Sequence, residues 1–600
     1  MKKKRLLALL VAVVMVFSTL ALAACANDTP ADPEPAPQED VVEPDPEPDD
    51  GDDDADVDEP EVDEPDEDDG DEEVAEDPPA QGGGFFRMAE GSPAGRFTPI
   101  TADTVHCARI NSLIFDGLIS NNEAGEPIPW VATWETCDDD LTYTFTLMDG
   151  VMFSDGVPMT TADVAFTYQT IAHPDYDGPR FYAIAFMIGA EAFRDGEADE
   201  FEGIEIIDER TIAFTFTEAS PANIWSFGYG IMPVHHYAFE VWDDFLDLER
   251  EPLGSGRFIF QEFRPMEYVR LVRNDNHWHP DRIPYLDGVL MMDVERAVAL
   301  DALATGEIDG TQVTASLDNL NELEAMPNAQ AIVFLGNGYQ YMEFNTLRPT
   351  LSDHRVRQAL MYALDREIFL AATLGPLGIV GSAPISPVSW AFPEDPEALY
   401  AYEFNLDRAN ELMEEAGWEM GPDGVRVNAD GVRMELVWPV YTDVEWPGLL
   451  AELAYDSWGA IGVDLRIDLM DFNAVREITG AWPQEEKEFC VYVMGFSLGL
   501  DPDPTGVMFD ADANVEGGFN NNAFRNERAQ ELIALGRTTV DQAERKAIYA
   551  EFSELMVYYL PAVILAYRYD MFAVADNVVG FNVSAFIDWA AVMHEVRFVD

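Results

Sequence analysis

WETCDDDLTYTFTLMDGVMFSDGVPMTTADVAFTY, residues 134–168, carries the pattern that decides the architecture. Residues 141–153 alternate apolar and polar side chains in period two around an Asp149-Gly150 turn, which predicts a hairpin with one buried face. The period then changes. TTADVAFTYQTI, residues 160–171, spaces its apolar residues as a helix does, and Thr160 or Thr161 stands at the N-cap position. A hairpin running into a capped helix predicts mixed α/β layers, not a barrel or a solenoid.

The same change of period recurs outward. IEIIDERTIAFTF (residues 204–216) reads as a hairpin turning at Asp208-Glu209, and residues 256–274 read as two more strands. Residues 354–373, residues 406–418 with Gly417 as the stop, and the segments ERAQELIALGR and QAERKAIYAEFSELMVYY read as helices. Gly156 and Gly310 read as turn glycines, and Arg355, Arg357 and Asp365 as ion-pairing residues on a helix surface. No internal repeat is seen. The body after residue 80 is too long for one small core, so two or three domains are expected.

The N-terminal end is of another kind. Lys2, Lys3, Lys4 and Arg5 precede an apolar run at residues 6–22, then Ala23-Ala24-Cys25. This is the layout of an export signal. Residues 26–80 hold 28 of the 114 Asp and Glu, no Lys or Arg and no aromatic residue. Such a segment cannot bury enough apolar surface to offset its ordering entropy, so a disordered spacer is expected. The whole chain carries a formal charge of −80, and beyond the signal its lysines are Lys487 and Lys546. That charge argues against nucleic acid and against anionic lipid as partners. No later run of about 20 apolar residues predicts a second membrane segment. Cys107, Cys137 and Cys490 lack zinc-ligand spacing; an oxidising compartment permits a disulfide, with Cys107–Cys137 the least implausible pair.

A second stretch, YVMGFSLGLDPDPTG (residues 492–506), supports three readings. G-F-S-L-G fits the hydrolase pattern G-x-S-x-G, with Ser497, an Asp and His594 in a permitted order. Two prolines and no helical period follow Ser497, where a nucleophile elbow needs a helix. Asp501, Asp503, Thr505, Gly506 and Asp512 partly match a calcium-loop register, against which stand two prolines and Phe509. The third reading is a buried strand running into a cleft-lining loop. The pairs His277-x-His279 and His235-His236 do not converge with other ligands, and no metal or cofactor is implied.

Ordered blocks then bring a family into view. Residues 134–168, IMPVHH (231–236), PLGSGRFIF (252–260), RNDNHW (273–278), PYLDGV (284–289), ALATGEIDG (302–310), FNTLRPTLSDHRVRQALMYALDR (344–366) and AGW (416–418) resemble, in order, the family-five extracellular solute-binding proteins of ABC importers. The stretch ending at Cys25 resembles the lipobox of bacterial lipoproteins, which implies a signal peptide at 1–24, a lipidated Cys25 and an acidic linker at 25–80. The resemblance implies an α/β, two-lobed periplasmic-binding-protein-like fold of type II, with an extra subdomain on the first lobe. It places lobe I at 81–335 with the subdomain at about 116–250, lobe II at 336–565, and a return to lobe I at 566–600. The implied function is capture of an oligopeptide or other small polar solute, without catalysis, for delivery to a membrane permease. The implied protein is a lipid-anchored monomer on the extracellular face. A secreted serine hydrolase using Ser497 and a structural surface lipoprotein are the other readings.

In peptide-binding members the loop equivalent to residues 495–503 lines the cleft, and a carboxylate three residues before D-P-D receives the α-ammonium. Leu498 occupies that position here, preceded by Phe496 and Ser497. A buried ammonium needs a paired charge, which leucine cannot supply. Asp501 and Asp503 are the nearby carboxylates, and Trp390, Tyr339 and Tyr341 are cleft candidates by position in the family.

Overall fold

A computed structural model describes residues 83–599 except 397, 398, 400, 401, 484–486, 504–507 and 517. The expected signal peptide, Cys25 and the acidic linker lie outside the described residues, as do Thr505 and Gly506 of the calcium-loop reading.

One nine-stranded sheet organises the chain. Its order from one edge is Val491–Ser497, Ala329–Phe344, Ala562–Ala575, Gly310–Val313, Phe85–Glu90, Gly288–Asp293, Tyr268–Arg273 and Phe258–Arg264, with Gly378–Val380 also paired to Ala562–Ala575. The second and third strands have 16 and 14 residues, well beyond the usual strand of about 5–6. Their antiparallel ladder shifts register twice, and the wider break lies at mid-length. Leu335 faces Tyr569 and the next pair is Tyr339 with Tyr567, so Gly336, Asn337 and Gly338 stand opposite Arg568 alone. This is a bulge, and its glycines are needed for space. A Cβ on Gly336 would lie 2.5 Å from Asp570 Oδ2, and one on Gly338 2.5 Å from Phe496 O.

The hydrophobic core changes at the same place. On one side of the bulge Ile332, Phe334, Phe572 and Val574 pack with Phe86, Phe145, Phe227 and Trp589. On the other, Met342, Phe344, Val563 and Leu565 pack with Trp438 and Trp458, while Tyr339, Tyr341 and Tyr567 join Tyr492, Phe509 and Phe552. The two long strands therefore run from one core into the other.

The strand Thr142–Leu147 forms, but its partners correct the expected hairpin. It pairs with Ala132–Thr136 before it and with Thr211–Thr215, in a four-stranded sheet closed by Ile204–Ile206. Beyond Asp149-Gly150 the ladder is a single bridge, Met152 to Pro158, because proline has no N–H to extend it. The helix Thr161–Ile171 follows as expected, the Thr160 N–H donating to the Asp163 carboxylate at 2.8 Å. Residues 354–373 divide into His354–Tyr362 and Arg366–Thr373, since the Asp365 carboxylate accepts from the Ile368 N–H and caps a new start. Arg355 pairs with Asp353 as a surface residue would. Arg357 does not: it is 3% exposed and donates to the carbonyls of Leu351, Tyr559 and Leu560. Gly310 is a strand residue, its missing Cβ leaving room for the Phe86 ring. Cys107, Cys137 and Cys490 are all free thiols, so the weighed Cys107–Cys137 bridge is absent.

Candidate functional site

The site grows from the bulge. The Asn337 carbonyl accepts from the Leu498 N–H at 2.9 Å, and Asn337 Nδ2 donates to the carbonyls of Leu498 at 3.2 Å and Gly499 at 2.8 Å. The strand Val491–Ser497 ends just before, with Phe496 opposite Tyr339 and Ser497 opposite Gly338. Residues 498–500 are thereby laid along a cavity of about 400 Å3. Arg109, Gln312 and residues 584–588 form the facing wall, and Phe334, Asp570 and Phe572 from the long strands form the floor. Each core supplies one wall of the same cleft. Its volume falls among small-molecule sites, roughly 300–1,000 Å3.

Charge in the cleft is arranged unevenly. Arg109 is committed: Nη1 donates to Glu90 Oε1 at 2.5 Å, Nε to Asp588 Oδ2 at 3.0 Å, and Nη2 reaches Gln312 Oε1 at 3.4 Å. Burial opposes ionisation of Glu90, but hydrogen bonds from His106 and Trp589 and the charge of Arg109 together hold its carboxyl below the usual range. Asp588 is pushed up by burial, against the pull of Arg109. Asp570 differs. It is half-buried, burial raises its pKa against the charge of Arg568, and it accepts no hydrogen bond from a described residue. The cleft thus holds one carboxylate unengaged by a described residue, beside the paired charges of Arg109 and Asp588, a geometry that suits capture of a solute bearing a cationic group.

The residues singled out in the sequence separate into three sets. Leu498 lines the cavity, with Phe496 stacked on Tyr339 at 5.9 Å and Ser497 exposed at the strand end. Tyr339 and Tyr341 are 1% and 6% exposed and belong to the packed interior. Trp390 lies edge-on to Tyr549 at 6.2 Å, against Arg545. Asp501 is held by both terminal nitrogens of Arg545 at 2.6 and 2.7 Å, and Asp503 by Arg537 Nε at 3.1 Å. Their charges are therefore met by arginine. His594 is engaged elsewhere, between Arg257 and Arg282. Among the described residues no group of three or more His, Cys, Asp or Glu is placed to hold a metal ion. Arg109, Gln312, Asn337, Asp570 and Asp588 escaped the sequence reading. For Asp570 a signal existed, an acidic residue amid the apolar run AVILAYRYDMFAVA.

A family model described as bacterial extracellular solute-binding proteins, family 5 Middle, matches residues 126–517. The chain belongs to this family. The oligopeptide-binding protein AppA of Bacillus subtilis (strain 168) is 25% identical over 513 residues, 84% of this chain and 90% of its own. Its solved structure in complex with a nonapeptide superposes with a TM-score of 0.65 at 23% identity, covering 87% of this chain and 100% of that one. The ABC transporter substrate-binding protein CtaP of Listeria monocytogenes superposes with a TM-score of 0.73 at 22% identity, over 87% and 100% of the two chains. The fold is the two-lobed α/β architecture of the family, and solute binding is its function.

Proposed function

We propose that this family-five protein is the receptor of an ABC importer that takes a short peptide or a related small polar solute bearing a cationic amine. The observation that carries the reading is the cleft of about 400 Å3 with one wall from each core and a floor of continuous strands. Contacts made to both walls at once exist only when the walls are close, so ligand shifts the population toward the closed form. The peptide part rests on AppA, named as an oligopeptide binder, and on Asp570. Leu498 leaves the loop without a charge for an ammonium; Asp570, across the same cavity, supplies one. Binding in this reading proceeds without chemistry on the solute, as in a family of solute-binding proteins.

In this reading residues 81–335 and 336–565 are the lobes, residues 566–600 return to the first, and the bulge at residues 336–338 is the hinge. Cys25 carries the lipid that holds a monomer at the outer face of the membrane, on the 25–80 linker. Among the described residues no helix is long and apolar enough to cross a membrane. Mass spectrometry of natively purified protein, followed by calorimetry with whatever solute is recovered, tests the proposal. A recovered amine-bearing solute that rebinds supports it; hydrolytic turnover lost in Ser497→Ala contradicts it.

A further inference from the structure

Residues 586–588 also wall a second cavity, of about 610 Å3, inside the first core. Arg180, Arg257 and Arg282 line it, and none of the three forms an ion pair with a described residue. Arg257 is 6% exposed. Its Nη1 donates to Ala591 O at 2.5 Å and lies 3.1 Å from His594 Nδ1, its Nη2 reaches Ser112 O at 3.4 Å, and its Nε has no partner among the described residues. Arg282 Nη1 lies 3.2 Å from the other ring nitrogen, His594 Nε2.

A neutral imidazole has one N–H and one lone pair. It can accept from one of these guanidiniums, and the other must meet it N–H against N–H. Protonation does not help, because burial and then the two arginines hold the His594 pKa down at about 3. Both cations also lie over the Trp130 ring, at 5.9 and 4.7 Å from its centre. The carboxylates nearby act on Arg257 through space, and none forms an ion pair with these arginines among the described residues. Asp116 is occupied by Trp130, Trp278 and Ser255 donors, and Glu595, half-exposed, reaches within 3.4 Å of the same His594 Nε2 that Arg282 meets. A buried guanidinium whose Nε has no partner among the described residues is costly, and a third arginine lines the same cavity.

We propose that this cavity is an oxyanion site, in which Arg257, Arg282 and Arg180 receive a carboxylate or phosphate group. The anion is a free inorganic ion or the acidic end of the solute in the adjoining cleft. The proposal stands whichever solute that cleft takes.

Calorimetry on the full chain with inorganic phosphate, alongside nitrogen NMR of the His594 ring, tests it. Saturable phosphate binding with a shift at His594 is expected, weakened at least tenfold in Arg282→Gln. Arg282 is half-buried and ends the short 3-10 helix Pro280–Arg282, so this variant is expected to fold, which circular dichroism checks. Trialanine and its C-terminal amide distinguish the sources: tighter binding of the acid assigns the anion to the solute, and equal binding assigns it to a free ion. No saturable phosphate heat, or equal affinity in Arg282→Gln, overturns the site. A chain that captures a solute but gives neither phosphate heat nor a His594 shift loses this site and keeps its receptor role. Saturation by phosphate in a chain that captures no solute does the reverse.

Discussion

Asn337 and Leu498 hold each other across the two longest features of the site: the Leu498 N–H donates to Asn337 O at 2.9 Å, and Asn337 Nδ2 returns to Leu498 O at 3.2 Å. The bulge between the cores and the loop of the cleft are therefore one mechanical unit. Removing the Asn337 amide deletes two bonds to the loop, each worth about 0.5–1.5 kcal/mol. Asn337→Ala is expected to weaken solute binding roughly tenfold, with a smaller effect on melting temperature. Calorimetry with the recovered solute checks this.

Asp501 and Arg545 form a structural pair. Their side chains are 13% and 3% exposed, and Arg545 Nε also donates to Gly536 O at 2.6 Å. Truncating the arginine strands a buried carboxylate, so Arg545→Ala is expected to cost about 3–5 kcal/mol in urea unfolding. Asp501→Asn in the same background should recover part of that loss. A ligand-binding role for Asp501 would instead show as lost affinity with stability retained.

Glu343 gives the clearest pH signature. It is 0% exposed, Asn522 donates to its Oε1 at 2.7 Å, and its Oε2 has no partner among the described residues. Burial pushes its carboxyl up to about 8, against Asn522 and the charge of Lys487, from an ordinary value of 4.5. Between those values the folded form holds a proton that the unfolded form has lost, so this contribution to stability is full below pH 4.5 and is lost as pH rises through 8. Glu343→Gln keeps the Asn522 contact and removes the titration. It should match the wild type near pH 4 and exceed it in melting temperature near pH 8. Lys487, drawn down to about 8 by burial against the charge of Glu343, works in the opposite sense above that pH in the wild type.

Much of this architecture is legible in residue patterns, and the failures have physical causes. Period two at Thr142–Leu147 and capping at Thr160 are local signals, set by pleat and by hydrogen-bonding groups nearby in sequence. Strand partners are not local. Thr142–Leu147 finds Thr211–Thr215, and no pattern within residues 141–153 specifies that. The loop at residues 495–503 is picked out by the family likeness alone, and residues 498–500 of it line the cavity. Asp570 shows in the sequence only as an acidic residue in an apolar strand; that it accepts no hydrogen bond from a described residue is a property of the packed cleft. Tyr339 and Tyr341 show the converse: aromatic residues beside a cleft strand read alike whether they face ligand or core, and the register turned both inward.

Asp570→Asn removes the unengaged charge while keeping the shape. A charge-assisted hydrogen bond contributes about 1.5–3 kcal/mol, so affinity for an amine-bearing solute should fall roughly ten- to hundredfold. Affinity for the same solute with its amine acetylated should be low and equal in the two proteins.

Hydrogen exchange on the full chain, with the recovered solute removed and then restored, reads both walls of the cleft at once. Joint protection of residues 498–500 and 584–588, together with the strand segment at residues 334–338, is the expected result. Protection of one wall alone, or of neither while the solute is bound, would contradict a ligand held between the lobes.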